Sequence, residues 1–429
     1  SVFSQNKANM GGAIFNEGYT FVTGTEFNNN ESQLGGAVYN ESVLSINDST
    51  LSENSSRLGG AIFNEKFFNS SINIYSENTS NLGGAIYNEL NTELFSFEDT
   101  LSENNANNGA AFFNLGELDI YNTYVINNAA ESNGGFLINN GVATILASTI
   151  EGNTADNGGA VYNQETVEII NTTLLGNTGS VSGGMIHNEQ GTTELRFSTA
   201  LNNSINNIAP IFSSDGSFSY YGSLFLESPT TPLCETLEDD ATLIQSQGQN
   251  TLSAIDCNNI PEDTIEQTIT NIVNTPIGKV AIPDAASASI DIADECIGVD
   301  ATGAVREITL CDAGAFETDS EIGNPGTISF ELENINAPEN SASNNNNTIQ
   351  RGISGAIRRT SARHGKGTQS TYPRRAITEL FWPHPAAHDC VSQPRVVPNR
   401  VLGCEKVVRV LVVGCLQRRL QLCHLLLDL

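Results

Sequence analysis

The stretch LGGAVYNESVLSINDSTLSENSSRLGGAIFNE, from Leu34 to Glu65, says nearly the same thing twice. GGAVYNE returns as GGAIFNE after an apolar alternation and the tetrapeptide LSEN. Outward from there, the Gly pair recurs at Gly11, Gly35, Gly59, Gly83, Gly109, Gly134, Gly158 and Gly183, with a degenerate copy at Ile208. The steps are 24, 24, 24, 26, 25, 24, 25 and 25 residues. A second column, an apolar residue followed two positions later by a variable residue and then Asn, runs in phase from Phe3–Asn6 through Phe27–Asn30, Leu51–Asn54 and Tyr75–Asn78 to Ala200–Asn203. Two columns in step over nine copies mark a repeat architecture.

The content of one period selects the architecture. Three short β-type runs, such as Ala37–Tyr39, Val43–Ile46 and Thr50–Leu51, are separated by Gly, Asn, Asp and Ser. No segment has the length or spacing of an amphipathic helix. A propeller blade needs about 40–45 residues, so the period is too short for one. The expected fold is all-β: a right-handed parallel β-helix of nine coils, each advancing one inter-strand spacing of about 4.8 Å.

Stacking explains the wording. Ile14, Val38, Ile62, Ile86, Phe112, Leu137, Val161 and Ile186 form one inward column, each side chain worth about 2 kcal/mol when buried. Leu44 and Ile46, with Leu118 and Ile120, line a second wall, and the apolar residue of the Asn column lines the third. Asn16, Asn40, Asn64, Asn88, Asn114, Asn139, Asn163 and Asn188 are placed to form an amide ladder along the axis. Asn at these bends also tolerates a left-handed backbone.

Charge divides the 429 residues in two. Residues 1–344 hold six Lys/Arg and 45 Asp/Glu, a net of −39, whereas residues 345–429 hold 13 and four, a net of +9. The acidic part argues against nucleic acid and anionic membranes as partners. Cysteine follows the same division: none before Phe225, then Cys234, Cys257, Cys296 and Cys311, and four in the basic tail. Four cysteines permit three pairings, with the sequence neighbours Cys234–Cys257 and Cys296–Cys311 favoured, and they suit an oxidising compartment. No run reaches eighteen apolar residues, so no transmembrane segment is expected. Ser1 falls inside a repeat, which reads as a fragment whose export signal was lost.

GGAIFN, GGAVYN and GGAIYN alternating with LSEN or LxGN resemble the GGA[ILV] and FxxN repeats of polymorphic outer-membrane proteins, within the bacterial surface proteins that carry a pectin-lyase-like parallel β-helix. The resemblance covers residues 1–225. Residues 226–318 continue as coils and a cap. There, SASIDIADECIGVDATGAVREITLCDAGAFE is similar to the closing segment of such chains, matching it at Ser289, Ile290, Asp291, Cys296, Asp300, Gly303, Arg306, Cys311, Asp312, Gly314, Ala315, Phe316 and Glu317. The resemblance implies that this segment caps the helix and that Cys296–Cys311 serves the cap. It also implies an extracellular, cell-surface or outer-membrane location, and often adhesion. Residues 319–347 form a linker that resembles the start of a Calx-β-like domain, and 348–429 a basic tail, disordered or frameshifted. Cys390, Cys404, Cys415 and Cys423, with His384 and His388, lack the CxxC pairs of a zinc site.

Three columns are candidates for function. Phe15, Tyr39, Phe63, Tyr87, Phe113, Tyr162 and Phe212, with Ile138 and His187 in register, alternate with the inward column and so are expected to point outward. They could stack sugar rings, or pack on one another under neighbouring turns, His187 being one more flat ring. Glu17, Glu41, Glu65 and Glu89 follow the ladder asparagines, and Glu53, Glu77 and Glu103 form a third column. Like charges about 5 Å apart in water repel by roughly 0.8 kcal/mol. A solvated face tolerates that, and Ca²⁺ is the candidate ion that would relieve it. No GGxGxD nonapeptide is present.

Catalysis on this fold needs a base beside carboxylates, or paired acids. The coils offer only Lys7, Arg57, Lys66 and Arg196, scattered in height, and the largest departure from the period is two residues, around Asn105–Asn108. The expectation is a non-catalytic, monomeric surface protein that binds a cell-surface protein or polysaccharide. The alternative is a polysaccharide lyase or glycosidase. Fold alone does not decide between them.

Overall fold

Short β-branched and aromatic runs fenced by Gly, Asn and Ser cannot extend far, so each repeat turns after three to five residues. A computed structural model describes residues 1–318, short stretches between 204 and 309 excepted. The expectations for 319–347 and 348–429 lie outside the described residues. In one coil the strands are Val38–Asn40, Val43–Asn47 and Thr50–Ser52. Each pairs in parallel with its counterpart one coil on, giving walls of 10, 10 and 12 strands. The fold is an all-β parallel solenoid of about ten turns, one or two beyond the nine expected.

Like sits on like. Ile62 lies between Val38 and Ile86. The inward columns are sealed: Val38, Ile62, Ile86, Leu44, Ile46, Phe27, Leu51 and Tyr75 are 0% exposed. The column that begins at Ile14 ends with Ile211 over Cys234, and Cys234 is disulfide-bonded to Cys257 with 5.1 Å between Cα atoms. A fourth short strand joins five coils, from Thr79–Leu82 to Thr178–Ser182. The two extra residues expected around Asn105–Asn108 lie instead in the turn between Asn88 and Glu93, where the offset from the previous coil grows from 24 (Asn88 on Asn64) to 26 (Glu93 on Phe67). The fourth sheet absorbs a separate one-residue shift between Ala106 and Asn108.

Bends are left-handed at fixed positions, but not at the ladder asparagines, which keep negative φ. The first Gly of each pair is left-handed (Gly35, φ 62°), as is the residue before the second Asn column: Glu53 at 53°, Glu77 at 55°, Gly152 at 64° and Gly176 at 62°. This is why LSEN alternates with LxGN: the third letter sits where glycine is free of strain. The second Gly of the pair has a different reason. A Cβ on Gly36 would lie 2.0 Å from the carbonyl oxygen of Gly60.

Three polar columns satisfy the turns. Asn16, Asn40, Asn64, Asn88, Asn114, Asn139, Asn163 and Asn188 pass one Nδ2–H···Oδ1 bond per rung, 2.6–3.0 Å long. The second Asn column is bonded more densely. Asn54 donates both its backbone N–H and its Nδ2 to Asn78 Oδ1, at 3.0 Å each, and Nδ2 also to the carbonyl of Phe27. The series runs to Asn203, where the Glu227 carboxylate takes both bonds. In a third column, Ser49, Asn73 and Asp99 each accept at a side-chain oxygen the backbone N–H one rung below, from Thr25, Ser49 and Asn73. Removing Asn78 orphans a buried N–H on Asn54 and the carbonyl of Leu51. At about 1–3 kcal/mol per buried orphan, Asn78→Ala is expected to destabilise the rod by about 3 kcal/mol. Glu77→Gln, one residue away on the surface, should change little. The denaturation midpoints of the two variants check this.

The closing segment departs from expectation. Its described contacts fall along the flank of the rod rather than across an end. The hairpin Asn271–Thr275/Gly278–Ile282 lies on the strands Thr149–Glu151 and Thr173–Leu175. Lys279 Nζ pairs with Glu151, and Thr149 Oγ1 donates to the Lys279 carbonyl. Further on, Asn171 Nδ2 donates to Val299 O (2.6 Å), Ala315 N to Thr199 Oγ1 (2.9 Å) and Gly314 N to Gly222 O (2.8 Å). We call this flank-bound segment a clasp. Under it the outward residues of the wall become apolar. Where earlier coils carry Asn28, Ser52, Ser76 and Ser102, later coils carry Leu175, Leu201 and Leu226, all buried together with Leu224.

Most residues of the closing motif have a job in the clasp. Arg306 is 1% exposed. Its Nη1 donates to Asp312 O and Glu317 Oε2 (3.0 and 2.9 Å), its Nη2 to Gly314 O and Asn171 Oδ1 (2.6 and 3.3 Å). Its guanidinium lies 5.1 Å from the Phe197 ring centre. Asp312 accepts from Asp291 N and Thr318 N, and Asp300 from Thr302 N and Glu317 N. Cys296 and Cys311 are disulfide-bonded, their Cα atoms 5.9 Å apart, beside Phe197 and Ala293.

Candidate functional site

Alternation puts the aromatic column outside the core, and the rung spacing then fixes how its rings meet. From Phe15 to Tyr39, Phe63, Tyr87 and Phe113, ring centres are 4.8–5.3 Å apart and planes differ by 3–7°. Each ring therefore covers the faces of its neighbours. Leu34, Leu58 and Leu82 pack over the column, leaving Tyr39, Phe63 and Tyr87 only 3–6% exposed. Of the two arrangements the sequence allowed, stacking of sugar rings or packing on one another under neighbouring turns, Tyr39, Phe63 and Tyr87 have the second: their ring faces are already occupied. Phe15 is exposed, while Phe113, Tyr162 and Phe212 are half-buried.

The covering Leu sits directly before each Gly pair, as in LGG at Leu34, Leu58 and Leu82. That was the signal for a covered column. In later coils the position passes to Asn108, Asn133, Asn157 and Ser182. Ser182 Oγ bonds His187 Nδ1 at 2.6 Å. His187 stacks between Tyr162 and Phe212, at 4.8 and 4.7 Å. Burial lowers its pKa to about 4, so the ring is neutral at physiological pH.

The acidic column lies at the rim of these rings. Tyr39 donates its hydroxyl to Glu65 Oε1 at 2.6 Å, and burial followed by Glu65 raises the phenol's pKa. Glu17 is exposed, while Glu41, Glu65 and Glu89 are half-exposed. Among the described residues, the acids whose ligand atoms gather within 4.8 Å are not in this column but are Asp291, Asp312 and Glu317 in the clasp. The oxygens of Asp312 and Glu317 are already engaged by Arg306, by Thr318 and by backbone N–H groups.

One buried acid had gone unmarked in the sequence. Asp99 is 1% exposed. Its Oδ1 accepts from Asn73 N and its Oδ2 from Ser96 Oγ, both at 2.7 Å. Tyr75 and Ser70 share a hydrogen bond beside it, and Asn73 Nδ2 donates to Ser70 Oγ. Burial pushes the Asp99 carboxyl up to about 7. It stands in the column Thr25, Ser49, Asn73, Asp99, Thr123, Ser148, Thr172, Ser198. The signal was that it is the one acid there.

Among the described residues no helix is long and apolar enough to cross a membrane. No curated protein and no solved structure matches the chain. The family model of the Chlamydia polymorphic membrane protein (Chlamydia_PMP) repeat matches residues 1–17 and 147–164. Each matched stretch contains one Asn-column motif and one Gly pair, the two features that build a rung. Two stretches of this parallel β-solenoid thus resemble the Chlamydia polymorphic membrane protein repeat.

Proposed function

We propose that this chain is a non-catalytic secreted or cell-surface protein, exposed at a bacterial outer membrane, whose rigid acidic rod presents side-chain columns to a protein or polysaccharide on another surface. The observation that carries the reading is the unbroken register. The same three walls pair residue for residue from Val2–Ser4 to Leu224–Leu226, and among the described residues no long insertion opens a cleft. The repeat match supports the surface location, since proteins named for this repeat are membrane proteins. Beads coated with the full chain are expected to attach to epithelial cells more than uncoated beads, with free chain competing. The enzyme alternative is tested on polygalacturonate and neutral polysaccharides. Turnover that disappears in Arg196→Ala would overturn the proposal.

A further inference from the structure

Of the six cations in residues 1–344, four are paired: Lys7 with Glu31, Arg196 with Glu194, Lys279 with Glu151 and Arg306 with Glu317. Lys66 and Arg57 have no ion pair among the described residues. Arg57 lies in a shallow groove of about 450 Å³ that runs from the coils of Glu31 and Ser55, joined there by isolated bridges, onto the first coils of the fourth strand.

The groove is shaped by alternation. In each rung, positions one and three after the Asn point out and form two walls. Position two points in and is small: Ser32, Ser56 and Ser80 form the floor. The walls near Arg57 are uncharged. Gln33 and Asn81 flank it in its own column, with Ser55 and Thr79 opposite. Glu31, at one end, is neutralised by Lys7 at 2.5 Å. The floor also holds an open polar valence: Ser80 is 6% exposed and its Oγ has no hydrogen-bond partner.

We infer that this groove binds an oligosaccharide carrying an anionic substituent, a carboxylate or a sulfate, with Arg57 on the anion and the amides of Asn81 and Asn105 on ring hydroxyls. A protein partner is anchored by buried apolar or aromatic side chains, and this lining has none. Amides and hydroxyls on both walls suit a polyhydroxylated chain, and a guanidinium in an uncharged stretch suits one planar anion. From Glu31 to Glu131 the groove crosses five rungs, four spacings that make about 19 Å, and each spacing is close to the length of one pyranose unit. Glu131 at the far end disfavours a polymer charged on every residue. The inference rests on reading the rod as an interaction module, and assigns that role to this strip instead of the aromatic column.

The test uses the full chain and three fluorescently labelled probes: cellotetraose bearing a single carboxylate, cellotetraose bearing a single sulfate, and plain cellotetraose. One anionic probe is expected to bind saturably with unit stoichiometry, and which one does so separates carboxylate from sulfate. Arg57→Gln should weaken it at least tenfold and Asn81→Ala severalfold, while Lys66→Gln leaves it unchanged. Equal loss in Arg57→Gln and Lys66→Gln would mean diffuse charge attraction and overturn the assignment. So would cellotetraose binding as tightly as the anionic probes, or no saturable binding at all. If coated beads still attach to cells while no probe binds, the groove assignment fails and the surface reading stands.

Discussion

Asp99→Asn is expected to make the rod more stable at neutral and alkaline pH and to leave it unchanged in acid. The carboxyl titrates near 3.8 when exposed and is pushed to about 7 by burial. Below about pH 4 it is protonated in both folded and unfolded chains, so it carries no penalty. Between about pH 4 and 7 the unfolded chain releases the proton while the folded chain retains it, and stability falls as pH rises. Above about pH 7 the loss is complete, up to about 4 kcal/mol for a shift of this size. Asparagine keeps the acceptor that Asn73 N–H needs, as Asn73 itself does for Ser49 N–H one rung below, and removes the ionisation. Denaturation midpoints across pH 4–8 should separate progressively between the two proteins. Parallel profiles would show that Asp99 is solvated.

The second large effect is at Arg306. Replacing it with Met removes the guanidinium from Glu317, from the carbonyls of Asp312 and Gly314, and from the Phe197 ring, while Glu317 keeps the Asp312 N–H. Removing one member of a buried ion pair costs about 3–5 kcal/mol. Because burial raises the Glu317 carboxyl, loss of the guanidinium raises it further, so the damage should be greatest above neutrality and partly relieved in acid. Limited proteolysis offers a second readout. Cleavage is expected first between residues 271 and 318, with residues 1–203 persisting as a resistant core. A uniformly degraded chain would place the loss in the rod instead of the clasp.

The walls were legible because stacking constrains every coil alike. Val38, Ile62 and Ile86 must be apolar for the same reason, so the period and its phase are written many times over. The extra coils at Phe225 and Leu252 lack the Gly pair, and with it the marker by which coils were recognised. The clasp was illegible for a different reason. Its contacts join residues more than a hundred positions apart, such as Arg306 and Asn171. The local trace is a change from Ser102 to Leu175, Leu201 and Leu226 at one outward position, which is informative only once that position is known to be outward. The aromatic column was placed on the correct side of the backbone. Its covering Leu residues belong to a neighbouring turn, and period alone does not bring them together. The groove was hidden because its fourth strand is short and built of Ser, Thr, Asn and Ala, residues that resemble a loop.

The clasp changes how the rod would yield to a pull. In a bare solenoid each rung is held only by its neighbours, so tension at one end peels rungs away singly, each at low force. The rungs from Thr149 to Leu226 are fastened side by side by one strap, through Lys279, Val299, Ala315 and Gly314. Tension reaching that half loads these fastenings together, in shear, whereas the coils before Tyr124 unravel in sequence. The molecule is a spring at one end and a strut at the other.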